Sequence, residues 1–432
     1  MKQLSLILIG GGDRGSSYLK YLDQNSDKFK LVGIAEPVKA KREYLRDSYN
    51  VPENQCFESY EEIFALPKFA DIAMICTQDK MHFEPAMMAM DKKYDLLLEK
   101  PISVSPEECY KMYRAAKDAG VKSVVCHVLR YTPFYKAIKK FISDGNVGEI
   151  MNIVHTEGVG NVHISHSYVR GNWRKESESS PMLLAKCSHD TDLLQWLVGE
   201  LCTKVQSVGT LSYFCEKNKP EGAPKRCLDG CPHKDTCYYY APSLYRMNTA
   251  EVQHFRAIVA NKFDPTNEEL DEILKTSPYG RCVFQCDNDV VDHQIVNMQF
   301  GEDKFATLTM SGFNKGGRVT TIMGTKGELR CDMEEQSVTF YSFATQETTT
   351  VFQPQPGFDQ TIAGGHGGGD MGIMEDLYHY LALNQPSDSI SDLEVSCMSH
   401  MICFAAEEAR KKGITMDMKE YMKQFESVYI KK

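Results

Sequence analysis

Three glycines, Gly10, Gly12 and Gly15, enclose Asp13 and Arg14 directly after the apolar run Leu4 to Ile9 and before a helical run from Ser16 to Leu22. In that context the G-x-G-x-x-G spacing is a pyrophosphate cradle. Gly10 permits the tight turn, Gly12 lets the backbone approach the phosphates, and Gly15 lets a helix pack closely with its N-terminus facing the anion. A second apolar run ends in Glu36, where a carboxylate accepts hydrogen bonds from the adenosine ribose hydroxyls. An acid there repels a 2′-phosphate, so the dinucleotide expected is NAD rather than NADP.

A second chemistry-bearing cluster is Cys227-x3-Cys231-Pro-His233-x3-Cys237. Three close thiols point to structural zinc, which wants four ligands; Cys282 is the preferred fourth, with His233 and Cys286 as substitutes. The competing reading is a set of small buried thiols without metal, because the spacing is not that of paired CxxC motifs. Three further clusters are rich in polar side chains: His163, His166 and Arg170 ahead of Trp173; Asn288 to Gln294, with Asp292 and His293; and Gly364 to Asp370, with His366. Glycines let backbone come close to a ligand, and Asn, Asp, His and Trp supply the hydrogen bonds and stacking face that a polyol needs, so these read as sugar-facing loops. Solvated loops are the alternative. His163, His189, Asp292, His293 and His366 also contain enough ligands for a catalytic metal, although no HExxH-like spacing supports one.

The elements that must position these residues follow from the apolar patterning. Short runs LSLILIG, LVGIAEP, DIAMICT, YDLLLEKP and SVVCHV alternate with amphipathic stretches up to about residue 126, which is the rhythm of a parallel sheet with crossover helices. Pro133 to Ser143 reads as a helix stopped by Asp144-Gly145-Asn146. Beyond it, Ile150 to Glu157, Val205 to Tyr213, His293 to Phe300 and Phe305 to Met310 have the β-branched, partly alternating character of antiparallel strands. The fold class expected is α/β, an N-terminal Rossmann doubly wound parallel sheet at 1–130 followed by an α+β domain with a largely antiparallel sheet at 131–432. A Cys-rich insertion at about 215–245 lacks periodicity.

At 432 residues the chain favours two domains with a cleft between them, and its 42% hydrophobic and 25% charged residues are ordinary globular composition. A formal net charge of −10 argues against nucleic acid. No apolar run is long enough to span a bilayer and no targeting signal is visible. Fifteen cysteines in such a chain are expected to be reduced, so the compartment expected is the cytoplasm. A homo-oligomer is within what the sequence allows.

From Glu99-Lys100-Pro101 onward the sequence resembles the Gfo/Idh/MocA family of glucose-fructose oxidoreductases and inositol dehydrogenases, over almost the whole chain. Thr77-Gln78-Asp79 with His82 is similar to the family's T-P-N-x-x-H loop, Cys126 to Tyr131 to its G-H-x-x-R-F/Y segment, and Gly145 to Ile150 to its G-x-I-G-x-I turn. Gln78, Asp79 and Cys126 depart mildly from these patterns. The resemblance implies cofactor contacts for Thr77, His82, Glu99 and Lys100, and places Lys100 beside nicotinamide and substrate. An ammonium at a strand's carboxyl end can also polarise a substrate oxygen on chemical grounds alone. The family's D-x-x-x-H helix corresponds to the run Ala185 to Asp192, in which alanine replaces the aspartate while His189 keeps the acid/base position. Lys186, one turn before His189, is expected to lower the histidine's pKa and stand in for the missing carboxylate. Asp192 is grouped with the substrate contacts.

The function expected is hydride transfer between NAD(H) and a small-molecule carbohydrate: a sugar, sugar derivative or cyclitol. Two alternatives share the fold: an NAD-dependent glycosidase working by transient oxidation and elimination, and a non-enzymatic NAD-bound sugar or redox sensor.

Overall fold

Each apolar run in the first part of the chain becomes a strand because both faces of its sheet are covered. The computed structural model describes residues 2–262, 264–353 and 366–429; Gly364 and Gly365 of the expected third loop lie outside them. Strands β1 (Leu4–Ile9), β2 (Phe29–Ala35), β3 (Cys56–Phe57), β4 (Ile72–Ile75), β5 (Asp95–Leu98) and β6 (Ser123–Val125) form a six-stranded sheet ordered β3-β2-β1-β4-β5-β6. Every neighbouring pair is parallel. The order reverses at β1, so the crevice beyond the carboxyl ends of β1 and β4 is the place where such sheets take ligands.

Helix α1 (Asp13–Leu19) leaves β1 through the glycine loop, starting earlier than the sequence pattern suggests because Asp13 already occupies its first turn. Helix α2 (Pro106–Ala119) connects β5 to β6; Ser105 caps it by accepting from the Glu108 amide, and Gly120 ends it in the left-handed region. Helix α3 (Pro133–Ser143) runs between the sheets, capped by Thr132 and stopped at Asp144 as the sequence indicates.

The second sheet has nine strands: β7 (Ile150–Gly158), β8 (Cys202–Thr210), β9 (His293–Phe300), β10 (Lys304–Ser311), β11 (Gly317–Gly324), β12 (Gly327–Asp332), β13 (Ser337–Ser342), β14 (Thr348–Phe352) and β15 (Met416–Asp417). Their order is β14-β13-β12-β11-β7-β10-β9-β8-β15. All pairs are antiparallel except the central β7–β10, where the chain returns to the sheet in the same direction. One face is packed by α4 (Met182–Val198) and α6 (Leu393–Lys412), which explains the alternation of buried and open positions along β9 and β10.

The last part of the chain comes back to the first sheet. Helix α5 (Gly369–Ala382) packs on Val128–Tyr131, and α6 lies against both α2 and α4. Ser391 is tied to the end of β6, its carbonyl accepting from the Val125 amide at 2.7 Å and its hydroxyl bonding Tyr131 and the Val125 carbonyl. One continuous apolar core therefore includes Ile75 and Leu98 from the first sheet, Met310 from the second, and Met401 from α6. Among the described residues no helix is long and apolar enough to cross a membrane.

Candidate functional site

The glycine loop has the backbone geometry that its spacing suggests. Gly10 sits at φ +91°, and a Cβ there would stand 2.6 Å from the Cys76 carbonyl oxygen. A Cβ on Gly15 would meet the Gly10 carbonyl at 2.5 Å, whereas one on Gly12 would meet nothing within 4 Å. Gly10 and Gly15 are thus needed for packing, while Gly12 presents bare backbone to open space in front of α1, as approach by a pyrophosphate requires. Glu36, at the end of β2, accepts from the Gly11 amide at 2.7 Å and from the Val38 amide at 2.9 Å. Each carboxylate oxygen keeps a second lone pair for a ribose hydroxyl. The residues therefore fit a dinucleotide without a 2′-phosphate.

Arg14 points away from that approach. Its guanidinium bonds Glu99 at 2.8 Å and Asp370 of α5 at 2.7 Å and 3.0 Å, with Tyr18 completing the cluster. Burial pushes the Glu99 carboxyl up, but Arg14 and the Tyr18 hydroxyl outweigh it and hold the group below the ordinary carboxylate range. Asp13 lies in the first turn of α1, where a carboxylate suits the helix N-terminus. His82 spans the carbonyls of Thr77 and Pro101 at 3.0 Å and 2.7 Å, binding the loop after β4 to the loop after β5.

Lys100 follows β5 at the sheet's carboxyl edge, and its ammonium donates to the Ala185 carbonyl on α4 at 3.0 Å. Burial lowers its pKa; Glu99 and Asp79 oppose that, while Lys186 and Arg14 add to it. His189, one turn along α4, has a pKa pushed well below the usual histidine value by burial and then by Lys100, His127, Arg318 and His366. Lys186 is not among these neighbours: it pairs with Glu157 at 3.3 Å. Burial first, and then Lys100 as the largest charge, keep His189 neutral, whereas the charge of Lys186 acts on Lys100, His163, Glu157 and Glu251.

His163 and His366 join this group. His163 stands 3.8 Å from Glu251 and is held neutral by burial and by Lys186; His366 bonds Asp370 at 3.0 Å and neighbours Arg14. Trp173 reaches the cofactor side, its indole N–H donating to Asp79 at 3.1 Å.

Other expected ligand contacts are engaged elsewhere. His166 is stacked between Phe255 and Tyr279, with ring centroids at 4.0 Å and 4.7 Å, bonded to the Tyr245 hydroxyl, and depressed by burial to about 3. Arg170 is fully buried and donates to the carbonyls of Arg281 and Tyr239. Asp192 takes a bidentate bond from Arg130, both contacts at 2.6 Å. Asp292 accepts from the amides of Ser212, Tyr213 and Phe214, and His293, bonded to it at 2.7 Å, is half exposed at the edge of β9. These clusters are polar because they satisfy buried backbone and charge, which is the other use of such residues.

Several residues at the site were not singled out from the sequence. His127, just after β6, lies edge-on to His189 at 5.8 Å and to His400 at 5.3 Å; among the described residues neither buried ring nitrogen has a hydrogen bond, and Nε2 stands 3.7 Å from Asp192. His400 donates from Nδ1 to the Ser396 carbonyl and accepts at Nε2 from the Ile102 amide, which fixes one neutral tautomer. Beneath α4, Arg318 of β11 pairs with Asp190 at 2.7 Å and Glu157 at 2.9 Å, and His155 bonds Asp190 at 2.9 Å. The signals available were His127, within the segment Cys126 to Tyr131, and Asp190 beside His189; the partners of Asp190 lie on strands far away in sequence.

For the two metal expectations, no three His, Cys, Asp or Glu side chains among the described residues stand in a ready ligating arrangement. The catalytic-metal reading is corrected by this geometry, since Asp292 and His293 are spent on one another and on loop amides. Cys227, Cys231, Cys237 and Cys282 nonetheless line one small cavity together.

Residues 4–127 match the GFO_IDH_MocA oxidoreductase family's NAD-binding Rossmann fold, and residues 139–413 match the same family's C-terminal alpha/beta domain. The chain is 25% identical over 333 residues to YteT of Bacillus subtilis (strain 168), with 74% of each chain covered. It is 28% identical over 204 residues to the 2,7-anhydro-N-acetylneuraminate hydratase of Escherichia coli (strain K12), covering 47% of this chain and 51% of that one. A solved levoglucosan dehydrogenase in complex with NADH and levoglucosan shares the fold at TM-score 0.70 and 17% identity, over 96% of this chain and 100% of that chain.

Proposed function

The chain belongs to the GFO_IDH_MocA oxidoreductase family, and from that premise we propose that it transfers hydride between NAD(H) and a sugar, sugar derivative or cyclitol. The observation that carries this reading is Lys100, at the carboxyl edge of the parallel sheet, held by the Ala185 carbonyl one turn before His189 on α4, with burial lowering both pKa values. Bound NAD supplies the hydride acceptor. Gly10, Gly12 and Gly15 would cradle its pyrophosphate and Glu36 its adenosine ribose, while Thr77, His82 and Glu99 shape the loops around it.

The chain's own residues handle the proton. Lys100 is held by the Ala185 carbonyl, and burial makes its ammonium readier to lose a proton than an exposed lysine. It holds the substrate oxygen, and the neutral imidazole of His189 accepts the hydroxyl proton as the carbon loses hydride. His163, Trp173 and His366 line the approach to these two residues and would contact a polyol.

The test is a panel of pyranoses, 1,6-anhydro sugars and inositols with NAD, read by NADH absorbance, alongside Lys100→Ala. NADH formation that Lys100→Ala abolishes supports the reading; an unmodified protein that binds no dinucleotide overturns it.

A second reading is a reaction with no net redox change, in which the sugar is oxidised, undergoes elimination and is reduced again, as in an NAD-dependent glycosidase. Ala185 in place of a carboxylate favours it, because a lysine with a depressed pKa can act as the base for elimination. Release of an aglycone from a glycoside without NADH accumulation would select this route.

A further inference from the structure

We propose that Cys227, Cys231, Cys237 and Cys282 bind one zinc ion that staples the insertion to the wall beside the cofactor site. The four thiols come from two separate turns drawn together by backbone pairing. Arg226 and Arg281 form an antiparallel bridge, the Cys227 amide donates to the Gly280 carbonyl at 2.9 Å, and the Cys282 amide donates to the Lys225 carbonyl at 2.9 Å. Gly230, at φ +81°, turns the chain into Cys231, and the Cys237 amide closes the next turn on the His233 carbonyl at 2.8 Å. All four thiols then line one cavity of about 20 Å³, room for a single small ion.

The choice of ligands narrows on the same geometry. Cys286 donates to the Cys282 carbonyl and does not line the cavity. His233 does line it; its Nε2 is bonded to the Glu221 carbonyl at 2.8 Å, which leaves Nδ1 as a substitute donor. The four sulfurs are the donor set that soft tetrahedral sites use.

Two further donors are aimed at the sulfur side. The Ala241 amide points at Cys227 Sγ at 3.4 Å, and the buried Arg170 guanidinium lies 3.9 Å from it. Zinc held by four thiolates carries net negative charge, and an amide with a guanidinium beside it is the surrounding such a group needs. The thiols are not yet at ligand positions. Binding therefore requires the thiols to rearrange, on a backbone that the Arg226–Arg281 bridge already draws together at Cys227 and Cys282.

The consequence reaches the cleft. Arg170 ends the π-helical turn Ile164–Arg170, just before Trp173, whose indole bonds Asp79 in the cofactor loop. A staple at Cys227 and Cys282 therefore fixes the wall that carries Trp173.

The test needs no substrate. The protein is produced in zinc-supplemented medium, and bound metal and alkylated cysteines are counted by mass spectrometry. About one zinc per chain is expected, with these four thiols resisting iodoacetamide until a chelator is added. Cobalt substitution should give the thiolate charge-transfer and tetrahedral ligand-field bands. Cys282→Ser should lower retained zinc at least tenfold, whereas Cys286→Ser and Cys215→Ser keep it. Metal-free protein with freely alkylated thiols, disulfides among the four, or equal zinc loss in Cys286→Ser would overturn the proposal.

Discussion

The ammonium of Lys100 donates to the carbonyl of Ala185 at 3.0 Å, across the gap between the first sheet and α4. A backbone acceptor holds the lysine where the related pattern has a carboxylate side chain. It fixes position without adding a negative charge, so the lysine keeps a lowered pKa.

Removal of either central residue tests the chemistry. Lys100→Ala and His189→Ala should each reduce hydride transfer roughly 10²- to 10⁴-fold, and the double variant should lose much less than the product of the single losses because both act on one oxygen. NADH affinity, followed by fluorescence titration, should stay nearly unchanged. Near-normal turnover in either single variant would move the chemistry elsewhere.

Glu36 governs cofactor choice while also holding its own turn through the Gly11 and Val38 amides. Binding of NAD should be at least about tenfold tighter than that of NADP, roughly 1.4 kcal/mol, and Glu36→Ser should narrow the gap chiefly by weakening NAD. Calorimetric titration with both dinucleotides decides it; tighter NADP binding by the unmodified protein contradicts the assignment.

Lys186 should act on Lys100 rather than on His189. Lys186→Met removes a cation that lowers the Lys100 pKa, so the limb of the pH–rate profile set by Lys100 should move to higher pH while the limb set by His189 stays. A shift confined to the histidine limb would restore the role that its one-turn spacing suggests.

Acid should destabilise the protein before most carboxylates titrate. His127, His163, His166, His189 and His400 all have folded pKa values below the unfolded value, with burial the first cause in each case. The unfolded chain therefore binds more protons below its histidine pKa of about 6.5. The stability from these neutral rings is present above that value and is lost as pH falls, at up to about 1.4 kcal/mol per ring for each pH unit. The melting temperature should drop steadily from pH 6.5 to 5, and a flat profile there would mean that the rings are hydrated and charged.

The strand, loop and acid of the cofactor cradle were legible because their partners are close in sequence and glycine spacing reports backbone shape directly. The same holds for α3, whose proline start and Asp144 stop are local signals. The polar clusters were not legible in this way. A buried arginine such as Arg170 and a ligand-facing one look alike until the Tyr239 and Arg281 carbonyls are placed beside it. Asp192 and Asp292 are read correctly only once Arg130 and the amides of Ser212 to Phe214 are known as their partners. Of β11 to β14 only β14 lies at the sheet edge, where its threonine-rich run carries no alternation, while the alternating runs of β11 to β13 are set by their pairing with one another; the acids Glu157 of β7 and Asp190 of α4 needed Arg318 from another strand to be noticed.

The pairing of Arg14 with Asp370 has a consequence for how the molecule is made. The glycine loop is synthesised before Asp370, α5, Ser391 and α6, which complete the cluster behind it and cover the β6 edge. A ribosome-bound chain lacking them carries the loop with the buried Arg14–Glu99 pair short of its second carboxylate. Competence to hold the dinucleotide should therefore arise only once Asp370 and α6 have emerged, rather than domain by domain.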